Sequence, residues 1–128
     1  MKCVILTAVL GVFAAGAALA DPAVGMWKTE VDDGSYAHVS MAPCGSNICG
    51  TIVKTFNGNG EYNSPNKGKQ IVRSMKPSGG GSYAGKVWRP SNDKIYIGKM
   101  QVSGKKLTLK GCVAGGLLCA SQKWTKVN

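Results

Sequence analysis

Beyond residue 20, the side chains able to do chemistry are Cys44, Cys49, Cys112 and Cys119, the single histidine His38, and the acids Glu30, Asp32 and Asp33. General acid–base catalysis needs a titratable group held against a partner. His38 sits beside Val39 in a strand-like run with no companion, so it reads as a structural histidine. Asp32-Asp33-Gly34 has the composition of a hairpin turn rather than of a paired-carboxylate site. Asn57-Gly58-Asn59-Gly60-Glu61 lacks the repeated carboxylates and spacing of a calcium loop and reads as a flexible turn. There is no phosphate loop, dinucleotide fingerprint or metal-binding helix motif. The expectation is a protein that is not an enzyme, with no catalytic residues, no metal and no cofactor.

The cysteines take their meaning from residues 1–20. Lys2, an apolar run from Val4 to Phe13 and Ala18-Leu19-Ala20 form the pattern of a cleavable signal peptide, ahead of one domain spanning 21–128. The run is shorter than the roughly 20 apolar residues a spanning helix needs, and nothing after it is longer. No membrane span is expected after cleavage, and the location is periplasmic or secreted. Loss of the leader removes Cys3 and leaves four cysteines, which in an exported chain read as two disulfides. Cys44–Cys49 with Cys112–Cys119 is the preferred pairing, and a long-range crossing such as Cys44–Cys119 is the alternative. A four-thiolate zinc site fits the spacings poorly, and an oxidising compartment disfavours free thiolates.

The whole chain has 16 basic and six acidic residues, a net charge of +10. After Thr51 only Glu61 and Asp93 oppose the lysines and arginines. Such a field favours anionic partners. In an envelope these are lipopolysaccharide, lipid headgroups or acidic polysaccharide; nucleic acid is not expected.

Apolar residues do not recur at helical spacing over any extended window. Short alternating runs separated by Gly, Asn, Asp, Ser and Pro predict eight strands: 24–30, 36–42, 48–55, 70–75, 82–89, 94–102, 106–113 and 118–127. Their hairpin-like connections suit a small up-and-down antiparallel barrel. If Leu107 and Leu109 face the core, then Tyr96, Gly98 and Met100 do too, and Lys99, Gln101, Lys106, Thr108 and Lys110 share the outer face. Lys99, Lys106 and Lys110 then form an anion-facing patch. Ile97 falls outside in this register.

Gly25-x-Trp27 on the first strand is similar to the signature of the calycin barrels, which include the lipocalins. In that group the tryptophan closes one barrel end against a basic residue on the last strand. Lys123 and Lys126 are available for this, and Gly25, Trp27, Trp124 and Lys126 are the expected end plug. Further elements are Cys44-x4-Cys49-Gly50, a glycine-rich turn with Trp88-x-Pro90 and Tyr96, Gly111, and Gln122-x-Trp124-Thr125. In this order they resemble the secreted bacterial family known as domain of unknown function 2147. The resemblance implies a lipocalin-like barrel and carries no activity. Cys112, Cys119 and the high lysine content depart from the family's pattern.

A barrel of this kind either holds one small ligand or fills its lumen with side chains. The candidate lining is Tyr36 or Val39, Ile52, Tyr83 or Trp88, Tyr96, Met100, Leu107 and Leu109. The first expectation is a binder of a small apolar or amphipathic ligand. The second is an envelope protein that docks a polyanion or an acidic partner, including a hydrolase as its inhibitor, through the lysine face.

Overall fold

The computed structural model describes residues 21–127. The signal peptide expected over residues 1–20 lies outside the described residues. Nine strands form in chain order: β1 (Gly25–Lys28), β2 (Tyr36–Cys44), β3 (Asn47–Asn57), β4 (Gly60–Tyr62), β5 (Gln70–Gly79), β6 (Ser82–Arg89), β7 (Lys94–Ser103), β8 (Lys106–Val113) and β9 (Leu118–Lys126). All pair antiparallel in the order β2-β1-β9-β8-β7-β6-β5-β3-β4, and a β2–β3 pairing closes the ring. Eight strands therefore make an up-and-down barrel. Closure leaves no long free edge, which a sheet this small would otherwise expose. The eight expected strands are all present. The short β4, which extends the edge beside the upper part of β3, lay hidden in a polar stretch with no alternation.

One end of the barrel is closed by tight turns. Gly45-Ser46, Gly80-Gly81 and Gly104-Lys105 each join two strands with two residues. Gly80 and Gly81 have φ of 62° and 80°, the left-handed values that such hairpins require. The first disulfide, Cys44–Cys49, spans the turn at Gly45-Ser46. That connection is tighter than the 43–47 loop expected from sequence, because β2 runs on through Pro43 to Cys44. Likewise Pro77 is in β5 rather than in the turn, between two register shifts that relieve the missing donor.

Alternation places Trp27, Val39, Met41, Met75, Met100 and Leu107 in the lumen toward this end, all at most 3% exposed. Glycines let these large side chains in. A Cβ on Gly98 would lie 2.6 Å from Met75 Cε, and one on Gly85 would lie 2.5 Å from the carbonyl oxygen of Ser74. Ser74 has φ of 51° at a register shift in β5, so the chain bulges inward there and only a glycine on β6 leaves room.

Candidate functional site

The opposite end stays open. Its connections are longer: residues 29–35, the segment on either side of β4, the Pro90–Asp93 turn, and a short 3-10 turn at Ala114–Gly116. Between them lies a cavity of about 490 Å³ that reaches into the upper lumen. Its walls include Ala37, Ile52, Ile71, Val87, Trp88, Tyr96, Leu109, Gly111, Ala120 and Trp124. Thr55, Ser64, Asn66, Arg89 and Gln122 add polar atoms. The space exists because several inward positions near the mouth are small. Where the closed half carries Met41, Met75 and Leu107, this half carries Ala37, Gly111 and Ala120.

The buried polar groups in the wall are already paired. The Trp88 indole N–H donates to Asp93 Oδ1 at 2.8 Å, and that of Trp124 donates to Gln122 Oε1 at 2.9 Å. Asn92 donates to the Tyr96 hydroxyl at 2.7 Å. Thr55 Oγ1 donates to the Tyr62 carbonyl at 2.5 Å and accepts from the Ser64 amide, which ties the segment after β4 to β3. Among the described residues, no buried side-chain nitrogen or oxygen lacks a partner. An apolar body can therefore enter without stranding a donor, which is the main penalty for filling a mixed cavity.

At the rim, Arg89 makes a two-point contact with Asp32: Nε to Oδ2 at 2.9 Å and Nη2 to Oδ1 at 2.8 Å. Ser91 Oγ also donates to Asp32 Oδ2. The hydrogen bonds and charge of Arg89 hold the Asp32 carboxyl below its usual range. The pair fastens the 29–35 hairpin across to β6. Asp33 and Gly34 form the turn itself, with φ of 55° and 78°. The acids near this turn thus serve turn and rim structure. His38 lies on the outer wall, its ring 4.8 Å from that of Phe56. Burial, then Lys54 and Lys28, lowers its pKa.

The structure divides the residues singled out as ligand-lining. Ile52, Tyr96 and Leu109 line the cavity, as do Tyr36 and Trp88. Val39, Met100, Leu107 and Tyr83 do not; they lie in the filled half, where the same inward parity meets larger neighbours. The Tyr83 hydroxyl donates to Asp21, and burial together with that bond raises its pKa. Of the residues grouped as an end plug, Trp27 and Lys126 are register partners, with Lys126 Nζ 5.6 Å from the indole centroid. Gly25, beside Trp27 on β1, has φ of 139°. The Trp27 N–H donates to the Ala23 carbonyl at 2.8 Å, so residues 21–24 cover the closed end. Trp124 is two residues before Lys126 and also inward, and it belongs to the cavity wall. Ile71, Ala120, Gln122 and the Arg89–Asp32 rim escaped sequence reasoning. Ile71 sits at a register shift between β3 and β5 that strict alternation does not reveal.

Cys112 and Cys119 are bonded and are direct partners across β8 and β9, so each end of the barrel carries one disulfide. Lys99 stands opposite Lys110, and Lys106 opposite Ser103, all on the outer face. Ile97 is also outside, opposite Cys112. No group of three or more His, Cys, Asp or Glu suited to a metal occurs among the described residues.

Residues 25–126 match the model of a family described as an uncharacterized protein conserved in bacteria, domain of unknown function 2147. The chain belongs to that family. No curated protein matches it significantly. The barrel is similar to the solved structure of protein HP1028 from the human pathogen Helicobacter pylori, described as belonging to the lipocalin family. The TM-score is 0.64 at 13% identity, over 82% of each chain, so the likeness is one of fold. No helix among the described residues is long and apolar enough to cross a membrane.

Proposed function

We propose that this protein is an exported barrel that holds one small apolar or amphipathic molecule in the mouth cavity. The observation that carries the reading is the open upper lumen. Its volume lies within the roughly 300–1,000 Å³ typical of small-molecule sites. Its inner wall carries apolar and aromatic side chains, with more apolar than polar surface, and its buried polar groups are pre-paired, so the body of the ligand is apolar. The exposed Arg89–Asp32 pair and Gln122 at the rim suit a polar end. Export is supported by the leader-like residues 1–20 and by two disulfides, which persist in oxidising compartments.

Native mass spectrometry of the protein isolated from its own cells tests this directly. The expected spectrum contains a second species, heavier by one small molecule and lost on collisional activation. A single unliganded mass, unchanged after incubation with total lipid extract, contradicts the reading.

A further inference from the structure

Strands β7, β8 and β9 are consecutive neighbours and form one continuous stretch of wall. From Lys94 to the end of the chain there are seven lysines and no Asp or Glu. The registers put Lys99 opposite Lys110, Lys106 opposite Thr125, and Lys123 opposite Thr108, so four exposed ammonium groups share this outer face. Like charges directly opposite one another on a sheet disfavour the bare fold locally, and a bound anion relieves that.

The mouth end of the same wall is apolar. Leu117 is 84% exposed, Leu118 65%, Ile95 54%, Val113 47% and Ile97 41%. Single exposed apolar residues are ordinary, but here Ile95 and Ile97 lie on the outer face, while Val113 and Leu118, which share the parity of inward Gly111 and Trp124, and Leu117 at the tip make the hairpin itself apolar. The Cys112–Cys119 bond closes the base of this hairpin and holds its tip in place. Basic charge reaches the tip: a Cβ on Gly116 would lie 3.5 Å from Lys99 Nζ. The face carries aliphatic residues and lysines but none of the Trp, Tyr or Arg anchors that concentrate energy at protein–protein interfaces. An apolar projection with a cationic collar instead fits the boundary between anionic headgroups and acyl chains.

We propose that the β7–β9 wall docks on an anionic phospholipid surface, with the 113–118 hairpin entering the headgroup–acyl boundary. Gly111 and Ala120, just inside the hairpin, line the cavity, so docking brings the cavity mouth to the lipid. The docking does not require the cavity to be occupied.

The test is flotation of the purified protein with vesicles of phosphatidylglycerol and phosphatidylcholine in equal amounts, against phosphatidylcholine alone. Wild type is expected to float with the anionic vesicles, with binding falling steeply at high salt. Lys99→Glu/Lys110→Glu and, separately, Leu117→Glu/Leu118→Glu should each weaken that binding about tenfold or more. Both pairs are exposed, so far-UV circular dichroism should match wild type. Equal binding to neutral vesicles, or flotation unchanged in both variants, overturns the proposal. So does a wild-type dimer in sedimentation that the leucine variants abolish without any vesicle binding, which would make the patch a self-association face.

Discussion

Toward the tight turns, Trp27, Met41, Met75 and Leu107 fill the lumen, while toward the mouth several of the wall positions hold only Ala37, Gly111 and Ala120. Both halves use the same strands and the same alternation, so backbone geometry does not create the cavity. Side-chain volume at a few inward positions does. The filled half carries the packing energy and the N-terminal cover, with Trp27 bonded to Ala23 and Tyr83 to Asp21. The open half can leave its lumen unfilled because its polar atoms are paired with one another and its rim is held by Arg89–Asp32.

Damage should therefore scale with the half that is struck. Trp27→Ala removes a fully buried indole and its Lys126 contact, and should lower stability by about 3–5 kcal/mol in urea denaturation. A comparable truncation at the mouth, such as Ile52→Ala, should cost less because its neighbour on one side is already space. Gly85→Val puts a Cβ 2.5 Å from the Ser74 carbonyl oxygen, which is backbone and cannot swing away, and should cost toward the top of the range of about 1–3 kcal/mol for overpacking. Replacing either cysteine pair by serines should cost about 2 kcal/mol, since both loops are short. Only loss of Cys112–Cys119 should also weaken vesicle binding.

The smallest effects come from pH, and they separate the two ends. Asp32 has a lowered pKa, so its contribution is complete above about pH 4, the ordinary carboxylate value, and is lost as the pH falls through its lowered value. Tyr83 has a raised pKa, so its contribution is complete below about pH 10 and is lost as the pH rises beyond that. Asp32→Asn should flatten the acid limb of a thermal-stability profile, and Tyr83→Phe the alkaline limb. Each should leave the other limb in place.

Strand placement was legible because period-two alternation and Gly/Asn/Asp punctuation survive in almost every strand. The β7–β8 register followed from the same parity, including the outward Ile97 that sits against the Cys112–Cys119 bond. The boundary between filled and open lumen was not legible. Leu107 and Leu109 share a face and a residue type, yet only Leu109 borders the cavity. That distinction depends on the neighbours across the barrel, Met75 near Gly98 at one level and Ala37 or Ala120 at another, and on bulges in β2, β3 and β5 that shift the register. The Arg89–Asp32 contact joins residues 57 positions apart, which local pattern cannot supply.

The most direct test of the divided lumen is to fill one half and titrate the other. A side chain at Gly111 would start in ordinary contact with Val87 and Tyr96 and extend into the cavity, so Gly111→Leu should occupy it with little loss of stability. Titration with the fluorescent amphiphile 1-anilinonaphthalene-8-sulfonate should give saturable one-site binding to wild type and to Trp27→Phe. Gly111→Leu should bind it at least tenfold more weakly. Equal binding to all three proteins, or none to wild type, would contradict the account.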